Sequence, residues 1–231
     1  PSCASRPGRM WRAAAASCAP AKPSVGAPGR CGSCRDVPVP ALGGPVYWIR
    51  NIAYNLPGGS TRLTGGSAGV LFYNNTILSE TTGNPQNNHW RNNLMLGQNS
   101  DPAIFSITTN TNYTSSDYNG FRVNPGAKVS FRWNSPPMNI AMDPAGPDLR
   151  PRLETREFST LADYSRATGQ DTHSVAVDYD VFVRVPRLDA QDLSTLQKLY
   201  KADDLDFRLR AGSAAVDHGV ALPTVTNGFS G

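Results

Sequence analysis

Leu71-Phe72-Tyr73-Asn74-Asn75-Thr76-Ile77-Leu78 decides the fold, because closely similar text stands on either side of it. Upstream is Tyr47-Trp48-Ile49-Arg50-Asn51-Ile52-Ala53-Tyr54, and downstream is Asn88-His89-Trp90-Arg91-Asn92-Asn93-Leu94-Met95-Leu96. All three share an aromatic, a polar residue, an asparagine and then an aliphatic strand. A weaker copy, Ser116-Asp117-Tyr118-Asn119-Gly120-Phe121, follows. The aligned asparagines, Asn51, Asn75, Asn93 and Asn119, are 24, 18 and 26 residues apart, spacings typical of solenoid repeats with loop insertions. If each copy is one coil, equivalent strands stack about 4.8 Å apart in parallel register. Asparagines at one corner then bond from coil to coil as a ladder. On this reading Ile49, Ile52, Leu71, Ile77, Leu94 and Leu96 line the interior, with Phe105 and Ile107 from a later strand. An antiparallel sandwich also produces alternating apolar strands and Asn-Gly turns, but it does not call for the same local text to recur.

Composition separates this region from the start of the chain. The 231 residues carry a formal charge of +4, yet residues 1–44 hold +5 and the remaining 187 sum to −1. The repeat region therefore lacks the basic face that nucleic-acid binding requires. All four cysteines, Cys3, Cys18, Cys31 and Cys34, also lie before residue 45. Cys31-Gly-Ser-Cys34 has the spacing of half a zinc site, but no second close pair or neighbouring histidine completes four ligands, so no metal site is expected. Thirty-six of the first 44 residues are Ala, Pro, Gly, Ser, Arg or Cys, too little apolar surface to offset the entropy of ordering them. Residues 1–44 are thus expected to be a disordered tail. Asparagine is absent from that tail and numbers fourteen in residues 45–125, an abrupt change that GC-rich DNA read in the wrong frame would produce. A start at Pro1 and a stop at Gly231 lead us to expect a fragment. No run of about 18 apolar residues is present, so no membrane span is expected.

The parallel coils are expected to occupy residues 45–135, a proline-rich loop 136–153, and capping strands and helices 154–231. Lys128-Val129-Ser130-Phe131-Arg132-Trp133 reads as a strand whose alternation puts Lys128, Ser130 and Arg132 on one face. Ser159 or Thr160 is placed to cap a helix that Gly169 ends. Val175, Val177, Val181 and Val183 read as one alternating strand. Asp189 is placed to cap a second helix presenting Leu193, Leu196 and Leu199 or Tyr200 on one face.

Several of these segments together carry a family resemblance. Tyr73-Asn74-Asn75-Thr76-Ile77-Leu78, Ser116-Asp117-Tyr118-Asn119, Phe158-Ser159-Thr160-Leu161, Thr168-Gly169-Gln170-Asp171-Thr172-His173-Ser174 and Asp206-Phe207-Arg208-Leu209-Arg210-Ala211-Gly212-Ser213-Ala214-Ala215-Val216-Asp217 resemble the C-terminal portion of bacterial right-handed parallel β-helix proteins of the pectate-lyase-like kind. The resemblance spans about three quarters of the chain. It implies an all-β solenoid of the last few coils with a capped end, usually preceded by further coils. It also implies a secreted, periplasmic or cell-surface protein, a monomer, and polysaccharide as the partner that is recognised or degraded. Calcium is the ion it allows, while the residues themselves show no evident cofactor. Asp178-Tyr179-Asp180 departs from an aspartate-proline pair frequent in the family.

Polysaccharide hydrolysis needs an acid and a base on neighbouring coils. Residues 45–125 contain only Glu80, Asp101 and Asp117, none at equivalent repeat positions. Elimination needs cationic stabilisation of an enolate, which Arg91, Arg122, Lys128 and Arg132 could supply. Trp90 and Tyr118 complete the candidate carbohydrate contacts as stacking surfaces. His89 and His173 have no partner placed by the sequence, and His173 is expected to make a structural hydrogen bond. The bland alternatives are solvated charges and packed aromatics, which leave a structural or glycan-binding module without catalysis.

Overall fold

A computed structural model of the chain describes residues 46–56, 61–63, 69–84, 86–98, 102–137, 153–189, 191–198, 200–222 and 225. The chain divides into two units, Pro1–Arg35 and Asp36–Gly231, and every described residue belongs to the second. The expected tail, its cysteines and most of the proline-rich loop lie outside the described residues.

Four strand triplets follow one another: β1 (Val46–Ile49), β2 (Ile52–Ala53) and β3 (Thr61–Leu63); β4 (Val70–Tyr73), β5 (Thr76–Ile77) and β6 (Thr81–Gly83); β7 (His89–Arg91), β8 (Leu94–Leu96) and β9 (Phe105–Thr108); β10 (Ser115–Asp117), β11 (Gly120–Arg122) and β12 (Phe131–Asn134). Corresponding members pair in parallel, giving a first sheet in the order β1-β4-β7-β10 and a second running from β2 through β5 and β8 to β11. The third sheet runs from β3 through β6 and β9 to β12. This is a β-solenoid of stacked parallel coils, and the antiparallel sandwich is excluded.

The corner between the first and second sheets is built identically in each coil. Arg50, Asn74, Asn92 and Tyr118 adopt left-handed φ values of 57°, 58°, 58° and 56°, which turns the chain between sheets within one residue. The next residue is the ladder asparagine. Asn51 Nδ2 donates to Asn75 Oδ1 (3.0 Å), Asn75 Nδ2 to Asn93 Oδ1 (2.9 Å) and Asn93 Nδ2 to Asn119 Oδ1 (2.9 Å). The same oxygens accept the backbone N–H of the preceding rung at 2.9, 3.1 and 2.9 Å. Asn75 and Asn93 also reach back to the coil before, donating to Trp48 O (2.8 Å) and Phe72 O (2.9 Å).

These asparagines point inward, and that sets the phase of everything beside them. Three residues before each asparagine, Trp48, Phe72, Trp90 and Ser116 share one inward column. Two residues after it, Ala53, Ile77, Met95 and Phe121 share another. The expected interior is corrected accordingly. Ile77, Phe105 and Ile107 are buried in the interior, but Leu96 is buried on the outer side of the second sheet, in register with Arg122, Ile52 is exposed, and Ile49, Leu71 and Leu94 are only half-buried, because they too face outward. Aromatics take their place: Phe72 stacks on Trp90 (centroids 5.4 Å apart, planes at 11°), and edge contacts run from Trp90 to Phe105 and from Phe121 to Phe131.

The last coil is closed by β13 (Glu157–Phe158), antiparallel to β12, and by α1 (Leu161–Thr168). Thr160 caps α1 by accepting from Asp163 N at 3.1 Å, and Gly169 ends it at φ 68°. Tyr164 of α1 is fully buried, stacks on Phe131 at 5.0 Å and donates to Asp171 Oδ2 at 3.1 Å. Asp171 also terminates the ladder, since its Oδ1 accepts from Asn119 Nδ2 (2.9 Å) and Ser174 Oγ (2.6 Å).

Beyond β14 (Val175–Ala176), which extends the second sheet, the chain forms an outer arm. It contains β15 (Phe182–Arg184), α2 (Leu193–Leu196) and β16 (Asp206–Leu209), with β15 and β16 antiparallel. Val177, Tyr179, Val181, Phe182 and Val185 pack with Leu78 and Leu96 against the outside of the second sheet. Gly120 is required there, since a Cβ would lie 2.7 Å from Leu94 Cδ2 and 3.2 Å from Val177 Cγ1. The single strand expected from Val175 to Val183 is broken, because Asp178 Oδ1 takes the N–H of Tyr179 (2.7 Å) and starts a 3-10 turn. Asp192, not Asp189, caps α2, and Leu193 is 62% exposed.

Two outcomes follow. Asn93→Ala strands several buried partners at once and should cost about 3 kcal/mol, measured by urea unfolding with an unchanged slope. Burial raises the Asp171 carboxyl above its ordinary 3.8, although hydrogen bonds from Ser174, Asn119, Ser116 and Tyr164 pull it down. The folded state therefore holds this proton more tightly than the unfolded chain. Its contribution is fully present below 3.8 and is lost as pH rises through the folded value. Asp171→Asn should flatten the corresponding part of the stability-pH curve, with the variant gaining on the wild type as pH rises.

Candidate functional site

The three sheets differ in what covers them. The arm lies over the second. The outward side of the first carries two registered columns of half-buried to exposed side chains. One column is Tyr47, Leu71, His89 and Ser115, and its neighbour is Ile49, Tyr73, Arg91 and Asp117. They stand four and two residues before the ladder asparagines, so the ladder fixes their spacing.

Hydrogen bonds tie the later coils of this face together. His89 Nδ1 lies 2.8 Å from Ser115 Oγ, and Arg91 Nη2 donates to the same oxygen at 2.9 Å. Arg91 Nη1 is held by Trp90 O at 2.7 Å. Burial and the Arg91 charge both push His89 below its ordinary value, favouring the neutral ring. His173 Nδ1 lies 2.8 Å from Asp117 Oδ2, while Asp117 Oδ1 accepts from the backbone N–H of His173 (2.8 Å) and of Tyr118 (3.0 Å). The His173 ring lies flat on Tyr118, with centroids 4.6 Å apart and planes at 5°. Burial works against the Asp117 carboxylate, but the side-chain and backbone hydrogen bonds from His173 and the one from Tyr118 hold it below 3.8.

The third sheet presents Thr82, Ser106 and Arg132 in register. A trough of about 520 Å³ beside them is lined by Lys128, Val129 and Arg132. Arg132 is paired with Glu157 through Nε (2.8 Å) and Nη2 (2.5 Å).

The candidate carbohydrate contacts thus disperse. Arg91 and Tyr118 stand at the first face. Lys128 and Arg132 meet at the third, although β12 begins only at Phe131, so a bend rather than strand alternation brings Lys128 there, and Ser130 is buried. Two candidates are corrected. Trp90 is fully buried because its position is an inward one, and it cannot stack on a sugar. Arg122 faces outward from the second sheet, where the arm closes over it. It pairs with Asp178 (2.8 Å), donates to Gly97 O (2.7 Å) and lies over the Tyr179 ring. Tyr47, Tyr73, His89, Asp117 and Ser115 were not picked out as one face, though counting back from each asparagine would have found them.

Among the described residues no group of three or more His, Cys, Asp or Glu comes together to hold a metal ion. Calcium needs six to eight oxygens, and the first face offers one carboxylate, Asp117, already accepting three hydrogen bonds. Among the same residues no helix is long and apolar enough to cross a membrane. Comparison with protein-family models, curated proteins and solved structures finds no match to this chain.

The depressed Asp117 ionisation gives stability that is present above 3.8 and is lost as pH falls through the folded value. The gap in urea midpoint between the wild type and Asp117→Asn should narrow steadily on acidification below 3.8, and His173→Ala should move the Asp117 carboxyl titration upward in carbon-13 spectra.

Proposed function

We propose that this chain supplies the final coils and cap of a pectate-lyase-like β-helix protein, and that the outer face of its first sheet recognises polysaccharide. The observation that carries the reading is the registered face itself. Tyr47 and Tyr73 offer amphipathic rings, Arg91 and His89 offer donors, and Asp117 with His173 and Tyr118 forms a polar end to the same surface. Stacked coils space their outward side chains evenly along one direction, which suits an extended polymer. An extracellular, periplasmic or cell-surface location goes with this role.

The face recognises the polymer without the means to hydrolyse its glycosidic bond. Hydrolysis needs two carboxyl groups flanking the bond, whereas Asp117 is the only acid in the two columns.

Affinity electrophoresis through gels containing neutral or acidic polysaccharides tests the reading. Retardation by at least one polymer is expected, with Tyr73→Ala or Arg91→Ala weakening it about tenfold, equivalent to about 1.4 kcal/mol, at unchanged circular dichroism. Free migration in every gel would leave a purely structural module as the better account.

A further inference from the structure

The first face contains a hydroxyl whose surroundings are those of a nucleophile. Ser115 Oγ has two neighbours, one on each side of a proton. Arg91 Nη2 donates to it at 2.9 Å, and His89 Nδ1, 2.8 Å away, is the base positioned to accept its hydrogen. Arg91 is an obligate donor, so Ser115 must receive that bond and is free to give its own proton to the imidazole. The imidazole then carries its hydrogen on Nε2. Neighbouring strands hold the set, since Ser115 of β10 stands in register with His89 of β7. Arg91, two residues along β7, is pinned by Trp90 O at 2.7 Å. All three side chains are half-buried on the outward side.

We propose that Ser115, His89 and Arg91 form an ester-hydrolysing centre for O-acyl groups carried by the polysaccharide. The proposal rests on the polysaccharide reading only for the identity of the alcohol. Ser115 Oγ attacks the acyl carbon as His89 Nδ1 takes the hydroxyl proton, and Arg91 faces the negative charge that develops. Collapse breaks the bond to the sugar oxygen, which leaves with the proton from His89 and is released as a free hydroxyl. Water then adds to the acyl-serine, giving one proton to His89. Release of the carboxylic acid returns that proton to Ser115. No oxidant, reductant or metal enters. The depression of His89 by burial and Arg91 keeps its ring neutral near pH 7, as a base requires.

The purified full chain is assayed with p-nitrophenyl acetate and separately treated with a fluorophosphonate probe followed by peptide mapping. Hydrolysis is expected, falling by roughly 100-fold or more in Ser115→Ala and His89→Gln, with the phosphonyl adduct on Ser115. Labelling of the wild type needs no variant to fold, so it stands as an independent check. Absence of the adduct, or hydrolysis undiminished in Ser115→Ala, would overturn the centre. Polysaccharide binding without ester hydrolysis defeats this inference and leaves the recognition face intact. Ester hydrolysis without retardation in any polysaccharide gel upholds the centre and defeats the recognition reading.

Discussion

A buried primary amide that bonds both the coil before it and the coil after it is the constraint on which this solenoid depends. Rung by rung the side-chain amides donate forward, from Asn51 to Asn75, Asn93, Asn119 and finally Asp171, and the oxygens of Asn75, Asn93 and Asn119 accept from the rung before. Such a chain polarises its own members, and its donor end is the end at which a negative charge is favoured. The last rung has no further coil to donate to and needs acceptors only. An aspartate has acceptors and no donor when ionised. Asp171 meets that requirement, and Ser174 and Tyr164 donate to it as well. The cost is a carboxyl in a fully buried site, visible in its raised pKa.

The coil lengths were legible because asparagines recur whatever the intervening loops do, so spacings of 24, 18 and 26 survive insertion. The phase was not legible from the same residues. With the asparagine imagined as a corner rather than an interior residue, the apolar positions beside it fall inside. In fact Asn93 is fully buried, and the left-handed residue before it, Asn92, takes up the turn. The neighbours therefore swap sides: Leu94 goes out and Trp90 goes in. That single displacement also explains why Trp90 looked available to a sugar. Arg122 was misplaced for another reason. Its position does face outward, but a segment more than fifty residues later covers it, and no local pattern around Arg122 announces Asp178.

The arm determines which face remains open. It covers the second sheet with an apolar cluster and is fastened at the corner by side-chain amides and cations rather than by strand pairing. Asn92 donates to Val220 O at 2.8 Å and accepts from Val220 N at 2.9 Å, so one side chain satisfies both backbone groups of an arm residue. Arg50 adds a bond to Val225 O at 3.3 Å. Both residues sit at the left-handed corner position, at the margin of the first sheet, and the columns beside them are left uncovered by these contacts.

Sites built this way are hard to see in sequence because their members come from different coils. Ser115 and His89 are 26 residues apart, and Asp117 and His173 are 56 apart. No short motif unites either pair. What brings Ser115 to His89 is the parallel register of β7 and β10, and what holds that register is the Asn93 to Asn119 rung two residues beyond the strands. Registry in a flat two-sided strand is weakly specified unless something pins it. Here a buried amide pins it at each coil, so the placement of the polar face is a consequence of the interior. A substitution at Asn93 therefore bears on the geometry of His89 and Ser115 although it touches neither, through a rung that shares their strands.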